Sequence, residues 1–253
     1  MAPRVVLITG ANRGLGLELA QRYLAEPDHI LIAAIRDPSP ARTASLTSAP
    51  MGQGTRLVVV NYEAAVEKSP FDAVKSLEAD HGIEHLDIVV ANAALASEFP
   101  AIKDVKRGSM LEHYTVNVVS IVELYRATRP LLEKAWGLSR PRSPVFATMG
   151  SGAGTLTRQP VVPNGVYGAS KAAAHWYSQR INIEEEWLSS PVIDPGWVQT
   201  EMGDLAAETW GMGKAPTTVK ESCDGMFTVL NDSESKAKFG GKMVLYTGEI
   251  QAW

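Results

Sequence analysis

Thr9-Gly10-Ala11-Asn12-Arg13-Gly14-Leu15-Gly16 follows the apolar run Val5–Ile8 and continues as Leu17-Glu18-Leu19-Ala20. This order of strand, glycine turn and helix start favours a phosphate site, because glycines let backbone N–H groups approach an anion and the helix N-terminus adds partial positive charge. Any tight corner between a strand and a helix also favours glycine. We therefore interpret the stretch as a nucleotide-binding turn, with an ordinary turn as the alternative. Its candidate cofactor-binding residues are Gly10, Asn12, Arg13, Gly14, Leu15 and Gly16.

Short β-rich segments alternate with longer helical patterns along the rest of the chain. This alternation predicts an α/β fold: a single-domain Rossmann fold over residues 1–253, with a doubly wound seven-stranded parallel sheet and helices on both faces. The predicted strands are Val5–Thr9, Ile30–Arg36, Arg56–Val60, Asp87–Ala91, Val145–Thr148, Pro191–Asp194 and Lys242–Tyr246. The predicted helices are Gly14–Ala25, Ala64–His81, Gly108–Trp136, Val166–Leu188 and Thr217–Leu230.

The composition is that of a chain with one large apolar core and a small-molecule ligand. Of the 253 residues, 45% are hydrophobic and 21% are charged, which is enough apolar material for a single α/β domain. The formal net charge is -4 and the Lys and Arg residues are scattered, which argues against a nucleic-acid partner. No apolar segment approaches the roughly 20 residues that a bilayer span needs, so we expect no membrane partner.

Cysteine content and the N-terminal sequence bear on the compartment. Cys223 is the single cysteine, which excludes an intramolecular disulfide and a cysteine-rich zinc site and favours a reducing compartment. We predict it to be a half-buried apolar residue of a late helix. Val5–Ile8 is too short for the core of a signal peptide. We therefore expect a cytoplasmic protein without a metal site, and give the glycosylation sequon Asn231-Asp232-Ser233 little weight.

The end of the second predicted strand indicates which nicotinamide cofactor the turn would bind. In a Rossmann unit an acidic residue about 20 positions on binds the ribose 2′-hydroxyl, whereas an arginine accommodates the 2′-phosphate of NADP. Here Arg36 precedes Asp37 and Arg13 lies inside the turn, so two guanidinium groups are available to clamp a phosphate. The sequence therefore favours NADP(H). The alternative is that both arginines are solvated and Asp37 binds the ribose.

Val166-Tyr167-Gly168-Ala169-Ser170-Lys171 opens a predicted helix, and the four-residue spacing puts Tyr167 and Lys171 on one helix face. A phenol with a pKa of about 10 exchanges protons poorly at neutral pH, and an adjacent ammonium is expected to lower that pKa. The pair suits hydride addition to a carbonyl, with Tyr167 as the general acid. Taken by itself, such a pair is more often an apolar ring beside a solvated cation.

Further motifs follow the turn in order along the chain. They are Ala91-Asn92-Ala93-Ala94, Tyr114-Thr115-Val116-Asn117, Met149-Gly150-Ser151-Gly152 and Pro195-Gly196-Trp197-Val198-Gln199-Thr200. Together with the Gly-x3-Gly-x-Gly turn and the Tyr-x3-Lys pair, they resemble the classical short-chain dehydrogenase/reductase family. The Pro195–Thr200 segment and the ending Tyr246-Thr247-Gly248-Glu249-Ile250-Gln251-Ala252-Trp253 further resemble the fungal norsolorinic acid ketoreductase-like group.

The resemblance implies a catalytic tetrad. Its members are Asn117, Ser151, Tyr167 and Lys171. In the family the serine stabilises the substrate oxygen, and the asparagine holds a water beside the lysine. The spacing from Ser151 to Tyr167 is three residues longer than is common in the family, which predicts a longer loop over the site within Thr155–Gly165. Thr148 and Ser170 are therefore alternative hydroxyls.

The same resemblance implies cofactor-binding residues beyond the glycine turn. They are Arg36, Asn61, Tyr62, Asn92, Tyr167, Lys171, Pro195, Gly196, Val198 and Thr200. Asn61 stands where the family often has an aspartate against the adenine, and its side-chain carbonyl is an acceptor of the same kind. The stretch around Asn92 lacks the first Asn and the final Gly of the family pattern.

The stretch Met202–Gly213 combines apolar side chains with glycines, which is typical of a mobile lid over a bulky ring system. Ser151, Trp197, Met202 and Trp210 are the candidate substrate residues, and Met149 is expected beside them. The alternative for each apolar residue is an ordinary place in the core or an interface.

These residues predict an NADPH-dependent reductase that acts on a ketone or imine of a hydrophobic, aromatic or polycyclic secondary metabolite. A non-redox cyclase or lyase and an NADPH-sensing protein are alternatives on the same fold. The family often forms homodimers or homotetramers through the helices expected at 108–136 and 166–188, so we expect such an assembly here.

Overall fold

Eight strands form one sheet in the computed structural model, which describes residues 3–138, 142–232 and 234–253. In chain order they are β1 (Arg4–Thr9), β2 (His29–Ile35), β3 (Arg56–Asn61), β4 (Ile88–Ala91), β5 (Val145–Met149), β6 (Val192–Asp194), β7 (Met243–Leu245) and β8 (Ile250–Gln251). Their order across the sheet is β3-β2-β1-β4-β5-β6-β7-β8, and every neighbouring pair except β7 and β8 is parallel. The predicted α/β Rossmann fold is confirmed.

The central strands are apolar along their length because both faces of the sheet are covered. In β1, Val5 and Leu7 pack into the core on one face, whereas Val6 and Ile8 pack into the core on the other. Successive side chains of a strand point to opposite faces, so a strand buried on both faces reads as a continuous apolar run. This is why Val5–Ile8 carries no alternation of polar and apolar residues.

Helices cover both faces. In chain order they are α1 (Gly14–Ala25), α2 (Pro40–Thr47), α3 (Ser69–His81), α4 (Arg107–Tyr114), α5 (Ser120–Gly137), α6 (Tyr167–Glu184), α7 (Glu201–Thr209), α8 (Val219–Leu230) and α9 (Ser235–Phe239). Leu77 of α3, Leu131 of α5 and Ile181 of α6 belong to the core on one face. Leu19 of α1 and Met226 of α8 belong to the core on the other.

The sheet differs from the predicted seven parallel strands at its C-terminal edge. The chain turns back at Gly248, whose φ is +91°, and β8 pairs antiparallel with β7. The turn is closed by the Leu245 N–H, which donates to the Glu249 carbonyl at 2.8 Å. Strand β8 has two residues, which are too few for a period-2 pattern to mark it.

The helices also differ from the predicted ones. The predicted helix at 108–136 is interrupted by a π-helical turn over Thr115–Val119. The predicted helix Ala64–His81 begins at Ser69, with Pro70 in its first turn, where a missing N–H costs no hydrogen bond. Helices α2, α7 and α9 are short and were not predicted. Helices α6 and α8 lie inside their predicted ranges.

Cys223 lies in α8, as predicted, but it is buried rather than half-buried. Burial raises the pKa of its thiol to about 12, so the thiol is uncharged at neutral pH. Ser233 of the predicted sequon lies outside the described residues. Within the described ranges, no helix is both long enough and apolar enough to cross a bilayer, and no three His, Cys, Asp or Glu side chains are grouped to hold a metal.

Glu185, directly after α6, joins α6 to α5. Its carboxylate accepts hydrogen bonds from Arg129 Nε at 2.5 Å, Arg129 Nη2 at 3.1 Å and the Tyr125 hydroxyl at 2.6 Å. Burial favours the neutral carboxyl, but the hydrogen bonds from Arg129 and Tyr125 outweigh it and lower the Glu185 pKa. Because the folded pKa lies below the unfolded one, this stabilisation is present above the unfolded pKa and is lost as the pH falls through the folded pKa.

We expect Glu185→Gln to lower the free energy of unfolding at neutral pH by about 1–3 kcal/mol, because hydrogen bonds to a charged group are weakened. Glu133→Gln is the matched control, since Glu133 also pairs with Arg129, at 2.9 Å, but has a side chain that is 55% exposed. Its loss is expected to change stability by less than about 1 kcal/mol. Urea unfolding of both variants, at neutral pH and in acid, measures the difference. Equal effects, or a Glu185→Gln effect undiminished in acid, would contradict the prediction.

Candidate active site

The candidate site lies at the carboxyl ends of β1, β4, β5 and β6, where the loops from adjacent parallel strands converge. Strand β1 lies between β2 and β4, so the connections leave it in opposite directions across the sheet. In an open α/β sheet such a reversal opens a crevice that binds ligands. Asn92, Ser151 and Gly196 are in the loops that follow β4, β5 and β6.

The glycine turn between β1 and α1 depends on a close backbone contact. A Cβ on Gly16 would lie 2.3 Å from the Gly10 carbonyl oxygen and 2.6 Å from Asn92 Nδ2, so a side chain fits there only if the turn shifts. Asn92 Nδ2 donates to the Thr9 carbonyl at 2.8 Å, and the Asn92 N–H donates to Thr9 Oγ1 at 3.0 Å. The end of β4 therefore holds the turn at the end of β1.

The two arginines predicted to clamp a phosphate are exposed but have different partners. Arg13 forms an ion pair with Glu201 at the start of α7. Arg36 has a side chain that is 70% exposed, and its Nε lies 3.9 Å from a Glu63 carboxylate oxygen. Asn12 and Leu15, the other side chains of the turn, are partly exposed. The structure thus leaves Arg36 more available to a ligand than Arg13, which must first leave its carboxylate.

The residues predicted to contact the adenosine half of the cofactor lie around the ends of β2 and β3. Asn61 Nδ2 donates to the Arg36 carbonyl at 2.7 Å. This bond uses the side-chain nitrogen, and not the side-chain oxygen that is predicted to accept a hydrogen bond from adenine. Tyr62 is buried, which raises the pKa of its phenol to about 12. Asp37, the alternative ribose ligand, accepts a hydrogen bond from the Ser39 N–H at 3.0 Å, which lowers the pKa of its carboxyl.

Tyr167 and Lys171 lie one turn apart at the start of α6, as their spacing predicts. Lys171 is 2% exposed; its Nζ donates to the Met149 carbonyl at 2.8 Å and lies 5.6 Å from the centre of the Tyr167 ring. Burial lowers the pKa of Lys171 to about 8. At neutral pH the ammonium is therefore still mostly protonated and lies close to the phenol.

The pKa of the Tyr167 phenol moves in the direction opposite to the predicted one. Burial raises it to about 12, a hydrogen bond with the Ser151 side chain lowers it, and the negative charge of Asp194 raises it. The net pKa is therefore raised rather than lowered as predicted, because removing the phenolate from water is the largest effect. Tyr167 is consequently protonated at neutral pH, which is the form that a proton donor needs.

Ser151 follows β5 and caps a short 3-10 helix at Gly152–Gly154. Its Oγ accepts a hydrogen bond from the Ala153 N–H at 3.2 Å and interacts with the Tyr167 hydroxyl. Its own N–H donates to His175 Nε2 at 3.3 Å. These contacts fix the serine beside the phenol. Of the alternative hydroxyls, Thr148 Oγ1 is buried in β5 without a hydrogen-bond partner in the described part of the chain.

Asn117 lies in the π-helical turn between α4 and α5, a type of distortion found often at functional sites. Its Oδ1 accepts from the Leu95 N–H at 2.7 Å, and its Nδ2 donates to the Leu95 carbonyl at 2.8 Å and to Ser170 Oγ at 2.9 Å. Ser170 Oγ in turn donates to the Tyr167 carbonyl at 2.7 Å. The amide thus ties the loop after β4 to the first turn of α6.

Asp194, at the end of β6, joins the loops that follow β5 and β6. Its Oδ1 accepts from the Gly196 N–H at 3.0 Å, and its carboxylate also accepts from the Gly152 N–H. Burial raises the pKa of Asp194, and these hydrogen bonds together with the charge of Arg158 oppose the rise. Sequence patterns missed this residue, although a charged residue that ends a buried apolar strand is itself a signal.

The loop after β6 has the turn that the sequence predicts. In the Pro195-Gly196 pair, the glycine has a φ of +77°, a conformation that other residues rarely adopt. Val198 is buried and forms an isolated parallel bridge with Thr217. Thr200 Oγ1 caps α7 by accepting from the Gly203 N–H at 3.1 Å. The predicted nicotinamide loop is therefore tied to α7.

Aromatic side chains form a cluster at the mouth of the site. Tyr167, Trp197, Met202 and Trp210 pack against a small buried cluster that contains Phe99 from the loop after β4. The ring centroids of Trp210 lie 4.9 Å from those of Phe99 and 5.7 Å from those of Trp197, and Phe99 lies 6.2 Å from Tyr167. The predicted lid begins as helix α7 rather than as a loop. Phe99 was missed because it lies in a loop, where no periodicity marks it.

The predicted longer loop, Thr155–Gly165, is attached at several points. The Gly165 N–H donates to the Pro100 carbonyl at 2.9 Å, which links the loop to the segment that carries Phe99. The Thr157 N–H donates to the Trp253 carbonyl at 2.9 Å. The loop therefore connects the aromatic cluster with the C-terminal segment of the chain.

The chain is similar to proteins of one enzyme family over most of its length. A family model described as short chain dehydrogenase matches residues 4–209. Norsolorinic acid ketoreductase nor1 of Dothistroma septosporum is 38% identical over 95% of this chain and 88% of its own length. Benzil reductase ((S)-benzoin forming) IRC24 of Saccharomyces cerevisiae is 31% identical over 86% of this chain and 80% of its own.

Solved structures agree with these sequence relationships. The NADPH-bound carbonyl reductase from chicken fatty liver has a TM-score of 0.83 at 28% identity, with 100% of both chains covered. Carbonyl reductase Sniffer of D. melanogaster has the same TM-score at 24% identity, with 99% of this chain and 100% of its own covered, which supports the fold. The resemblance drawn from the motifs is confirmed, and the chain belongs to the short-chain dehydrogenase family.

Proposed function

We propose that the protein is an NADPH-dependent reductase that transfers hydride to a ketone or imine of a hydrophobic, aromatic or polycyclic secondary metabolite. The observation that carries the proposal is a protonated phenol, Tyr167, next to the Ser151 hydroxyl and one turn from the buried ammonium of Lys171. These groups lie under an aromatic cluster suited to planar substrates. Relatives named norsolorinic acid ketoreductase and benzil reductase support the same class of reaction.

The glycine turn and its surroundings fit NADP(H). The contact between Gly16 and the Gly10 carbonyl brings the N-terminus of α1 close to the end of β1, as a phosphate-binding turn requires. We assign the 2′-phosphate to Arg36, because Arg13 is paired with Glu201. The carbonyl reductase from chicken fatty liver, which this chain resembles in fold and sequence, is an NADPH complex. Asn92 and the loop after β6 flank the same crevice and are assigned to the nicotinamide half.

Bound NADPH would supply the hydride, and the chain's own residues would manage the proton. Tyr167 donates its proton to the substrate oxygen, and Ser151 donates a hydrogen bond to the same oxygen. The positive charge of Lys171 favours the phenolate that remains, and burial strengthens this attraction because the local dielectric is low. Asn117 positions the first turn of α6 through Ser170.

Two other functions use the same fold: a non-redox cyclase or lyase, and a protein that senses NADPH without turnover. The complete set of Ser151, Tyr167 and Lys171 favours the reductase. A sensor has no need of a proton donor, and a cyclase has no need of hydride.

We propose that residues 1–253 form one domain that assembles as a homodimer or homotetramer in the cytoplasm. Exposed apolar side chains on α4, α6 and the π-helical turn support assembly through these helices. They are Met110, Leu111, Tyr114, Val119, Trp176 and Ile183. Apolar patches of this kind commonly mark protein interfaces. The acidic net charge supports a small-molecule substrate rather than nucleic acid.

Tyr167→Phe tests the reductase directly. We expect ketone reduction to fall by about 10²–10⁴-fold, because the proton donor is removed while the ring remains. Binding of NADPH, followed by fluorescence, should persist. The assay follows NADPH consumption with a panel of aromatic ketones. Tight NADPH binding by the unmodified protein without turnover of any ketone would favour the cyclase or the sensor instead.

Arg36→Ala tests the cofactor assignment. We expect the Kd for NADPH to rise about tenfold to a hundredfold, because a charge-assisted contact with the 2′-phosphate is lost, while the Kd for NADH changes little. Arg180→Ala is the control, since Arg180 forms a surface pair with Glu184 on α6. Equal losses for both cofactors, or a lower Kd for NADH than for NADPH in the unmodified protein, would rule out this assignment.

The pH dependence of reduction tests the role of Lys171. Its pKa is lowered to about 8 by burial, so its positive charge is present below that pH and is lost above it. We therefore expect kcat/KM for reduction to decline above about pH 8. In Lys171→Arg the guanidinium stays protonated, so the decline should disappear at whatever rate the variant retains. A flat profile in the unmodified protein, or the same decline in both, would contradict the role.

A further inference from the structure

The indole N–H of Trp210 is a hydrogen-bond donor to which the described part of the chain offers no acceptor. Its Nε1 is buried and has no hydrogen-bond partner within residues 3–138, 142–232 and 234–253. The neighbouring Trp197, by contrast, donates its Nε1–H to the Gly203 carbonyl at 2.9 Å. Buried polar groups in native proteins nearly always have partners, because an unpaired donor has lost water without a replacement. Of these two adjacent indoles, Trp197 thus has a hydrogen-bond acceptor for its ring N–H, whereas Trp210 has none within the described residues.

The unpaired donor belongs to the candidate substrate site. The backbone N–H of Trp210 donates to the Ala206 carbonyl at 3.1 Å, which fixes the residue at the end of α7. Its ring packs on Phe99, which also contacts the Tyr167 ring. Trp210 and Tyr167 thus share one apolar cluster. A planar ligand whose carbonyl reached the Tyr167 hydroxyl would lie beside this cluster.

Other buried side-chain atoms without partners lie outside the aromatic cluster. Within the described residues they are Thr148 Oγ1, Asn164 Nδ2 and His175 Nδ1. None of these residues belongs to the cluster that contains Tyr167. Trp210 is therefore the member of this set that packs in the same cluster as Tyr167.

We propose that Trp210 Nε1–H binds an oxygen of the substrate other than the reacting carbonyl, so that Trp210 selects aromatic ketones that carry an additional ring oxygen. This inference rests on the proposed reductase function. Tyr167 and Ser151 already provide two donors, which match the two lone pairs of the reacting carbonyl. An indole N–H only donates, so the group it recognises is an acceptor: a phenolic hydroxyl, an ether or a ring carbonyl. A site built to bind such an oxygen discriminates against analogues that lack it.

The test compares 2-acetylnaphthalene with its hydroxylated derivatives, in which one hydroxyl is placed in turn at each ring position. For each variant, kcat/KM for a derivative is divided by kcat/KM for the parent ketone. Differences in the intrinsic reactivity of the ketones then cancel when the ratios of two variants are compared. We expect Trp210→Phe to reduce this ratio about fivefold to tenfold for at least one derivative, because one hydrogen bond is lost. Trp197→Phe should leave every ratio unchanged, since its N–H is bound to Gly203. Ratios that stay constant in Trp210→Phe, or fall equally in Trp197→Phe, overturn the inference.

A second measurement leaves Trp210 intact and needs no turnover. In the Tyr167→Phe variant with NADPH, the indole ¹⁵N–¹H signal of Trp210, assigned by its loss in Trp210→Phe or by selective labelling, is followed by NMR. The inference predicts a downfield proton shift and slower solvent exchange with the best hydroxylated ketone, but not with the parent. Binding of the ketone without these changes overturns the inference. Absence of turnover of every ketone by the unmodified protein refutes the reductase proposal instead, so the two failures are distinguishable.

Discussion

The parallel pairing of β1 with β2 on one side and β4 on the other is the constraint on which the site depends. Both faces of β1 are covered by helices, so its apolar residues specify a central strand. The chain then continues outward in both directions, and the loops at the carboxyl ends of β1, β4, β5 and β6 meet at one edge. The contact of Gly16 with the Gly10 carbonyl and Asn92 closes this edge into a turn that suits a phosphate.

Two buried charges flank the phenol of Tyr167, and the backbone stabilises each of them. Lys171 donates to the Met149 carbonyl, and Asp194 accepts from the N–H groups of Gly196 and Gly152. The negative charge of Asp194 raises the pKa of the phenol, in the same direction as burial does. Desolvation is the largest effect on this pKa, and it keeps Tyr167 protonated at neutral pH. The same contacts hold the loops after β5 and β6 together.

The aromatic cluster joins helix α7 to the loop after β6. Thr200 caps α7 from the loop after β6, so the helix that carries Met202 is fixed to the loop assigned to the nicotinamide. Trp197 is bound through its ring nitrogen to Gly203, whereas Trp210 keeps a free donor within the described residues. In the proposed substrate site, a donor that is already held in place would lose little entropy when it binds a ring oxygen.

The sequence determined the fold class, the glycine turn, the pair formed by Tyr167 and Lys171 and the family, because continuous apolar runs and short motifs act over a few residues. It missed α7 and β8, since such short elements carry little periodicity. It also missed the π-helical turn at Asn117, since one such turn leaves the apolar pattern of a long helix almost unchanged. The tertiary structure decided the sign of the Tyr167 pKa, the ion pair that occupies Arg13, and the places of Phe99 and Asp194. Desolvation and pairing depend on which distant segments meet. A local sequence pattern contains no information on which distant segments come into contact.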